Sequence, residues 1–440
     1  MEEDSCFLGG NDMDLLSQFE DILEGDKLID EIGFLHPSQF SLLDEVPSDS
    51  PPTLNTPIHL SETNTANRVQ LQYGKTIFWN KNHKLGICTN VLSHLYIAAR
   101  HAYMDVSRRY KASINVSSNR GAVCSAAPRA DFDHLLENEI LKHTKALLIL
   151  SCNFGSAWNL RRLVLLRRHE ISFFLDELRF SALVFSYAPK CEYAWSQRRW
   201  VIKMLEKKLQ SLDEHISEES ALVEKIAEKS KMNYRAWSHR CWLISFMKRA
   251  QVLHELDKLK QWAELHVADN CCFHYRRELL LKILEDNYSQ CVEASTDSKF
   301  DICCLWKEEL KWTELLIRRY IGREALWIHR RFLAQCWITH FTTNEGAIML
   351  DPEDPLSSST EIFLAKELQL LKCCFDILAD GFDDTQDQAQ YAACYFLWIF
   401  KFVLPQEPKH EQIIKEVREM KPILQKACPW NNLCCKNLFK

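Results

Sequence analysis

Between residues 132 and 340 the apolar positions recur at helical spacing. Stretches such as LLENEILKHTKALLIL and LKWTELLIRRY gather their aliphatic and aromatic residues three and four apart, with charges on the opposite face. Each stretch runs into a short break rich in polar residues, glycine or proline (CNFGS, APKCE, KSKMN, VADN, IGRE). A second amphipathic run then opens on an aromatic residue. Aligned on that aromatic, five segments coincide: SAWNLRRLVLL, YAWSQRRWVIKML, RAWSHRCWLISFM, CCFHYRRELLLKIL and ALWIHRRFLAQCW. The anchors are Trp158, Trp195, Trp237, Phe273 and Trp327, each followed three residues later by an arginine: Arg161, Arg198, Arg240, Arg276 and Arg330. The pattern is helix, turn, helix, repeated at the unit size of two-helix repeats, with a longer insertion before the last copy. It predicts an all-α protein, an alpha-alpha superhelix in the form of a crescent solenoid of helical hairpins.

The flanks differ. Residues 1–67 are acidic and end in a Ser-, Thr- and Pro-rich run, which predicts a largely flexible segment. Within it Met13, Leu15, Leu16, Phe19, Ile22 and Leu23 lie at near-helical spacing, enough for a short amphipathic helix that docks on the domain or on a partner. Residues 68–131 predict an N-terminal helical region, with a helix around 86–110 and a polar surface loop over 113–131. Residues 341–440 predict degenerate capping helices after the polar DPEDPLSSST, with Tyr395 and Trp398 where a sixth anchor would stand.

Composition sharpens this picture. Only 11 glycines occur, too few for a fold rich in tight turns or glycine phosphate loops. With 54 basic and 60 acidic residues the net charge is −6, so no global field draws the chain to nucleic acid. The opening MEEDSCFLGGNDMDLLSQFE lacks a signal peptide's basic and apolar regions, and no run is long enough to span a bilayer, which predicts a cytoplasmic protein. In that compartment the 18 cysteines read as small buried hydrophobes. The adjacent pairs Cys271 and Cys272, Cys303 and Cys304, Cys373 and Cys374, and Cys434 and Cys435 point about 100° apart on a helix and contain no CxxC spacing, so no metal site is expected.

A tryptophan one turn inside a helix wedges between neighbouring helices, and an arginine one turn on has the donors to satisfy helix-end carbonyls. A catalytic group is needed once and a joint in every repeat, so these positions read as structural anchors. His239 and His329 share the position two after the anchor, where the other copies carry Leu160, Gln197 and Tyr275, and a packing or hydrogen-bonding role fits both histidines.

These linked units, together with IDEIGF at 29–34, a later NKNHKLGI and the run NYRAWSHRCW, resemble the protein prenyltransferase alpha subunit family. The similarity is greatest to a divergent branch, the alpha-subunit repeat-containing protein 1 group, in a plant-like form with an extended N-terminus. The resemblance is strong over about residues 132–340 and weak elsewhere. It implies helical hairpins curved around a separate beta subunit, of the Rab geranylgeranyltransferase type. It further implies transfer of a geranylgeranyl or farnesyl group from an isoprenoid diphosphate to proteins with C-terminal cysteines. Zinc is expected in that beta subunit, no cofactor in this chain, and no activity from this chain alone.

Carried over residue by residue, the family's third-repeat lysine in K-N-Y-x-x-W falls on Met232, which has no charge to neutralise a leaving diphosphate. Asn233 and Tyr234 match the residues that follow. Lys231, one residue earlier, and Lys190, in the equivalent slot of the second repeat, are the remaining cationic candidates. Lys231 and Tyr234 are weak catalytic candidates. Lys190, Asn233, Tyr234, His239 and Arg240 are candidates for contact with substrate or partner. The competing expectation is a non-catalytic helical-repeat adaptor, or a pseudo-subunit that binds a beta chain without turnover.

Overall fold

The computed structural model describes residues 10–43, 69–70, 76–119, 127–289, 296–341, 360–376 and 383–403, with a few positions between 415 and 424. The chain divides between His239 and Arg240 into two compact units.

The first unit opens with α1 (Gly10–Gly25), β1 (Glu31–Leu35) and α2 (Pro37–Leu43). The short helix expected over residues 13–23 is α1, docked on the domain, whereas β1 and α2 replace the flexibility expected after it; the rest of 1–67 lies outside the described residues. Leu15, Leu16, Phe19 and Leu23 form the buried face of α1, while Met13 stays exposed. That face packs against α3 (Leu92–Asn119) and α4 (Ala127–Leu150), and Phe19 stacks on Phe78 with ring centroids 5.6 Å apart. At the end of α1 the Lys145 ammonium donates to the Leu23 carbonyl at 3.0 Å, and burial lowers its pKa to about 8.

A small sheet adjoins these helices. It consists of β1, β2 (Val69–Gln70), β3 (Thr76–Lys81) and β4 (Lys84–Cys88) in the order β1-β4-β3-β2. Strand β1 runs parallel to β4, and β3 antiparallel to it. The helix expected from about residue 86 is thus partly strand, and helix α3 begins at Leu92. The reason lies in the turn: Asn82 and His83 have φ of 51° and 60°, the left-handed pair that closes a two-residue hairpin, and asparagine tolerates it in a chain short of glycine. Ile77, Phe78, Leu85 and Ile87 then find a core between sheet and helices.

The surface loop expected over 113–131 is also corrected. Helix α3 continues to Asn119 and α4 begins at Ala127, leaving 120–126 outside the described residues. The serines there lower helix propensity only slightly, and packing of α3 on α4, pinned by Ser113 donating to Asp133 at 2.7 Å, outweighs it.

Hairpins follow: α4 with α5 (Gly155–Arg168), α6 (Ile171–Tyr187) with α7 (Glu192–Glu206), and α8 (Asp213–Lys229), then α9 (Tyr234–Leu243), which carries the boundary between the units. Successive hairpins stack, α4 on α6, α5 on α7 and α6 on α8. The second unit continues with α10 (Arg249–Leu265) and α11 (Asn270–Ser289), α12 (Thr296–Arg319) and α13 (Glu324–His340), and α14 (Thr360–Asp376) and α15 (Asp383–Val403). There α11 packs on α13 and α13 on α15. The all-α class is as the sequence predicts. Of the adjacent cysteines, Cys272, Cys303 and Cys374 are buried while Cys271, Cys304 and Cys373 are half-buried, as neighbours 100° apart on a helix must be. Cys434 and Cys435 lie outside the described residues.

Because Phe19 is fully buried, Phe19→Ala should destabilise the protein by about 3–5 kcal/mol in denaturant unfolding. Met13→Ala, on the exposed side of the same helix, should stay within about 0.5 kcal/mol.

Candidate functional site

All five anchor arginines are buried, and each meets a buried glutamate on the first helix of the next hairpin. In the first unit Arg161 Nη2 lies 2.6 Å from Glu177, and Arg198 binds Glu219 through two hydrogen bonds of 2.6 Å. In the second unit Arg240 reaches Glu255 at 2.9 Å, Arg276 reaches Glu309 at 2.7 Å, and Arg330 pairs with Glu367. The guanidiniums of Arg161, Arg198, Arg276 and Arg330 also donate to a carbonyl of the helix before, as expected, but that carbonyl is interior rather than at a helix end: Leu141, Leu178, Leu256 and Leu310. The principal partner is the carboxylate, because a guanidinium taken out of water needs a full counter-charge.

The position two after the anchor completes the arrangement. Gln197 donates to Glu177 at 2.8 Å, His239 Nε2 to Glu219 at 3.0 Å, Tyr275 to Glu255 at 2.9 Å and His329 Nε2 to Glu309 at 3.0 Å. The acceptor in each case stands 20 residues upstream. A carboxylate only accepts, so each histidine carries its proton on Nε2. The first copy has Ile140 where the others have glutamate, and accordingly Leu160 where they have a donor. In the last hairpin Tyr395 donates to Glu367 at 2.8 Å. Tyr395 thus occupies the closing position rather than the anchor position, which is taken by the buried Ala393.

These contacts correct the candidacy of His239 and Arg240 for contact with substrate or partner. Both are buried and held by carboxylates, out of reach of a ligand. Burial works to raise the Glu219 and Glu309 carboxyls, but the arginine charges and the hydrogen bonds from arginine and histidine outweigh it and hold both at about 2. His239 and His329 are pushed below their usual range by burial, against the pull of their glutamates.

The remaining candidates gather at the turns. Asn233 is buried, donates to the Pro189 carbonyl at 3.0 Å and caps α9 by accepting from Ala236 at 3.3 Å. Met232 is exposed with φ 54°, a left-handed backbone that Gly322 adopts at the corresponding place before Trp327. Tyr234 begins α9 and is 69% exposed, so its ring is open to a partner instead of packing on the next repeat. Lys190 and Lys231 are exposed on neighbouring turns, the latter in the loop before α9 and not on a helix.

A feature that the sequence did not reveal lies beside them. A cleft of about 610 Å³ between the β1 region and helices α6 and α8 is lined by Pro189 and Ser230, the residues next to Lys190 and Lys231. Lys27, Arg179, Lys225 and Lys229 line it together with the apolar Ile29, Leu183 and Ile226, while Asp30 and Glu31 form its acidic part and Asp30 is paired with Lys84. Glu31 takes ion pairs from Lys84 at 3.2 Å and Lys229 at 3.4 Å, and its hydrogen bond from Lys84 lowers its pKa. The cationic and apolar lining suits an acidic, partly apolar ligand. The signal was invisible because these residues come from segments far apart in the chain. Among the described residues no group of three or more His, Cys, Asp or Glu side chains is placed to hold a metal ion, and no helix is long and apolar enough to cross a membrane.

Residues 174–205, 216–247, 252–283 and 306–337 match the family described as "Protein prenyltransferase alpha subunit repeat". These ranges cover the hairpins from α6 to α13, and the copy around Trp158 lies outside them. The chain is 29% identical to protein prenyltransferase alpha subunit repeat-containing protein 1 of Danio rerio, over 51% of this chain and 61% of that protein. It is 28% identical to the Homo sapiens protein of the same name, over 45% and 59%. Geranylgeranyl transferase type-2 subunit alpha of Bos taurus is 25% identical, over 53% of this chain and 35% of its own length. The match therefore spans less than two thirds of each relative.

The buried carboxylates and histidines fix a pH response. The Glu219 and Glu309 carboxyls sit at about 2 when folded and 4.5 when free, so their contribution is complete above pH 4.5 and is lost as pH falls toward 2. The histidines resist protonation in the fold while the unfolded chain takes up protons below 6.5, so stability also falls as pH drops through that value. Calorimetry from neutral to acid pH should show both declines. In the double variant His239→Gln, His329→Gln, which copies Gln197, the upper decline should shrink, leaving the smaller part due to the partly buried His340, and the lower one persist. Glu219→Ala, which strands Arg198, should destabilise by about 3–5 kcal/mol in the same assay.

Proposed function

We propose that this chain, built as it is from prenyltransferase alpha subunit repeats, serves as the alpha-type subunit of a heterodimeric protein prenyltransferase in the cytoplasm. In that role it holds a beta subunit, of the Rab geranylgeranyltransferase type, and helps select the target protein. The reaction joins a target's C-terminal cysteine thiolate to the first carbon of a geranylgeranyl or farnesyl diphosphate, and the diphosphate leaves. The zinc that activates the thiolate belongs to the beta subunit, and this chain alone has no activity.

The run of four matching repeats carries this reading, because repetition of that kind specifies a partner-holding scaffold. The relatives named geranylgeranyl transferase type-2 subunit alpha support it. Asn233 keeps the α9 turn in shape and presents Tyr234 outward, where its phenol is free to donate to a diphosphate oxygen or a beta-subunit side chain. Lys190 and Lys231 are exposed in the turns before α7 and α9. The basic cleft beside them is the place for an acidic stretch of the target protein.

A second reading rests on Met232. An uncharged residue at the lysine position withholds electrostatic stabilisation of the leaving diphosphate, which favours a pseudo-subunit, or an adaptor with no prenyl transfer at all.

Coexpression with prenyltransferase beta subunits, followed by assay with labelled geranylgeranyl and farnesyl diphosphates, separates the readings. An alpha-type subunit forms a stable pair with turnover. In that pair Tyr234→Phe should lower kcat several-fold, and Met232→Lys, which restores a cation, should raise it about tenfold or more. A stable pair without turnover would favour the pseudo-subunit, and no pair would favour the adaptor.

A further inference from the structure

Cys191 stands immediately before α7, where Asn233 stands before α9. The two make equivalent contacts. Asn233 donates to the Pro189 carbonyl in the preceding turn and accepts from a backbone N–H of its own helix. Cys191 Sγ donates to the Cys152 carbonyl in its preceding turn at 3.3 Å, and accepts from the backbone N–H groups of Tyr193 and Ala194. A thiol is a weak donor and a weak acceptor, so a joint of this kind is better made by asparagine. The architecture alone does not call for sulfur here.

The preceding turn supplies the second half of the arrangement. Where the α6–α7 turn has Pro189, the α4–α5 turn has Cys152, and the Cys152 thiol is in hydrogen-bond contact with that of Cys191. Two thiols from different hairpins thus meet, one buried and the other half-buried, so the Cys152 side is the more open of the two. The Cys152 thiol, then the two backbone N–H groups and the Arg235 charge, outweigh burial and draw Cys191 down to about 7, while the same contact and burial push Cys152 up. Cys191, with two backbone N–H groups of α7 on its sulfur, is the thiol better placed to carry negative charge once it gives up the proton it shares with the Cys152 carbonyl.

We infer that Cys152 and Cys191 are a redox modification site, closed by a hydroperoxide into a reversible disulfide that ties the α4–α5 turn to the α6–α7 turn. The Cys191 thiolate attacks the peroxide O–O bond, forming a sulfenic acid and releasing hydroxide, which is protonated to water. The Cys152 sulfur then attacks the Cys191 sulfur. The S–S bond forms, the S–O bond breaks, and the leaving hydroxide takes the Cys152 proton as a second water. Two thiols are oxidised and one peroxide is reduced. The cross-link joins the two turns from which the anchors hang, since Trp158 Nε1 donates to the Cys152 carbonyl at 2.8 Å and Trp195 Nε1 to that of Pro189 at 3.0 Å. Oxidation therefore locks the first two anchor-bearing hairpins, independently of any prenyl transfer.

The test treats the full chain with hydrogen peroxide and maps linked peptides by mass spectrometry without reduction. The wild type should yield a peptide pair joined through Cys152 and Cys191, with a melting temperature raised by several degrees and restored by dithiothreitol. Cys191→Asn, which copies Asn233, should fold with the melting temperature of the reduced wild type and give no linked pair. Cys152→Ser should leave a sulfenic acid on Cys191 that dimedone traps. Oxidation of other cysteines before these two, linkage of Cys152 to a different partner in the wild type, or an equal temperature shift in Cys191→Asn would overturn the inference.

Discussion

The stacking of the hairpins depends on charge pairs buried between them. An arginine and a glutamate out of water are each expensive by several kcal/mol, and only close, doubly hydrogen-bonded contact offsets that. Arg198 and Glu219 meet this condition, with His239 taking a further lone pair of the carboxylate. Because an unmatched partner would be so unfavourable, slippage of one hairpin along the next is penalised far more than in an apolar interface. The same arrangement recurs in both units, at Arg161 with Glu177 and at Arg330 with Glu367.

This use of the interior decides where chemistry can take place. The arginines and histidines that look reactive in the sequence are consumed by the joints, and their surfaces are closed. What remains accessible is the set of turns. There the backbone is fixed by capping side chains such as Asn233 and Asp269, whose carboxylate accepts from Cys271 at 2.9 Å, while the neighbouring residues project outward. Tyr234 and Lys231 owe their exposure to that division of labour, and Cys191 its hydrogen-bonded setting.

The turns are also where the copies of the repeat differ from one another. Before the anchor stand Cys191, Asn233, Asp269 and Arg323 in turn, and Met232 holds the left-handed position that Gly322 fills without strain. An anchor is constrained by neighbours on every side, whereas a turn residue answers only to its cap and to whatever binds there. Variation between copies within one chain therefore points to the turns as the surface on which a repeat scaffold acquires separate functions.

The sequence by itself determined the helical hairpins and their anchors, because periodicity and repetition are local properties that each copy states again; the burial of the arginines came from the fold. The sequence even carried the logic of the joint: Leu160 is apolar in the one copy that lacks an upstream glutamate, and the other copies carry a donor. Only the tertiary structure decided that each arginine takes its glutamate from the next hairpin. That pairing spans variable turns and insertions, from 15 residues for Arg240 to 37 for Arg330, and no fixed spacing reveals it. The same holds for the small sheet, whose strands are marginal until α2 and α6 pack on them, and for the basic cleft and the paired thiols. Each is assembled from segments that only folding brings together, so the physical signal does not exist until the chain has closed on itself.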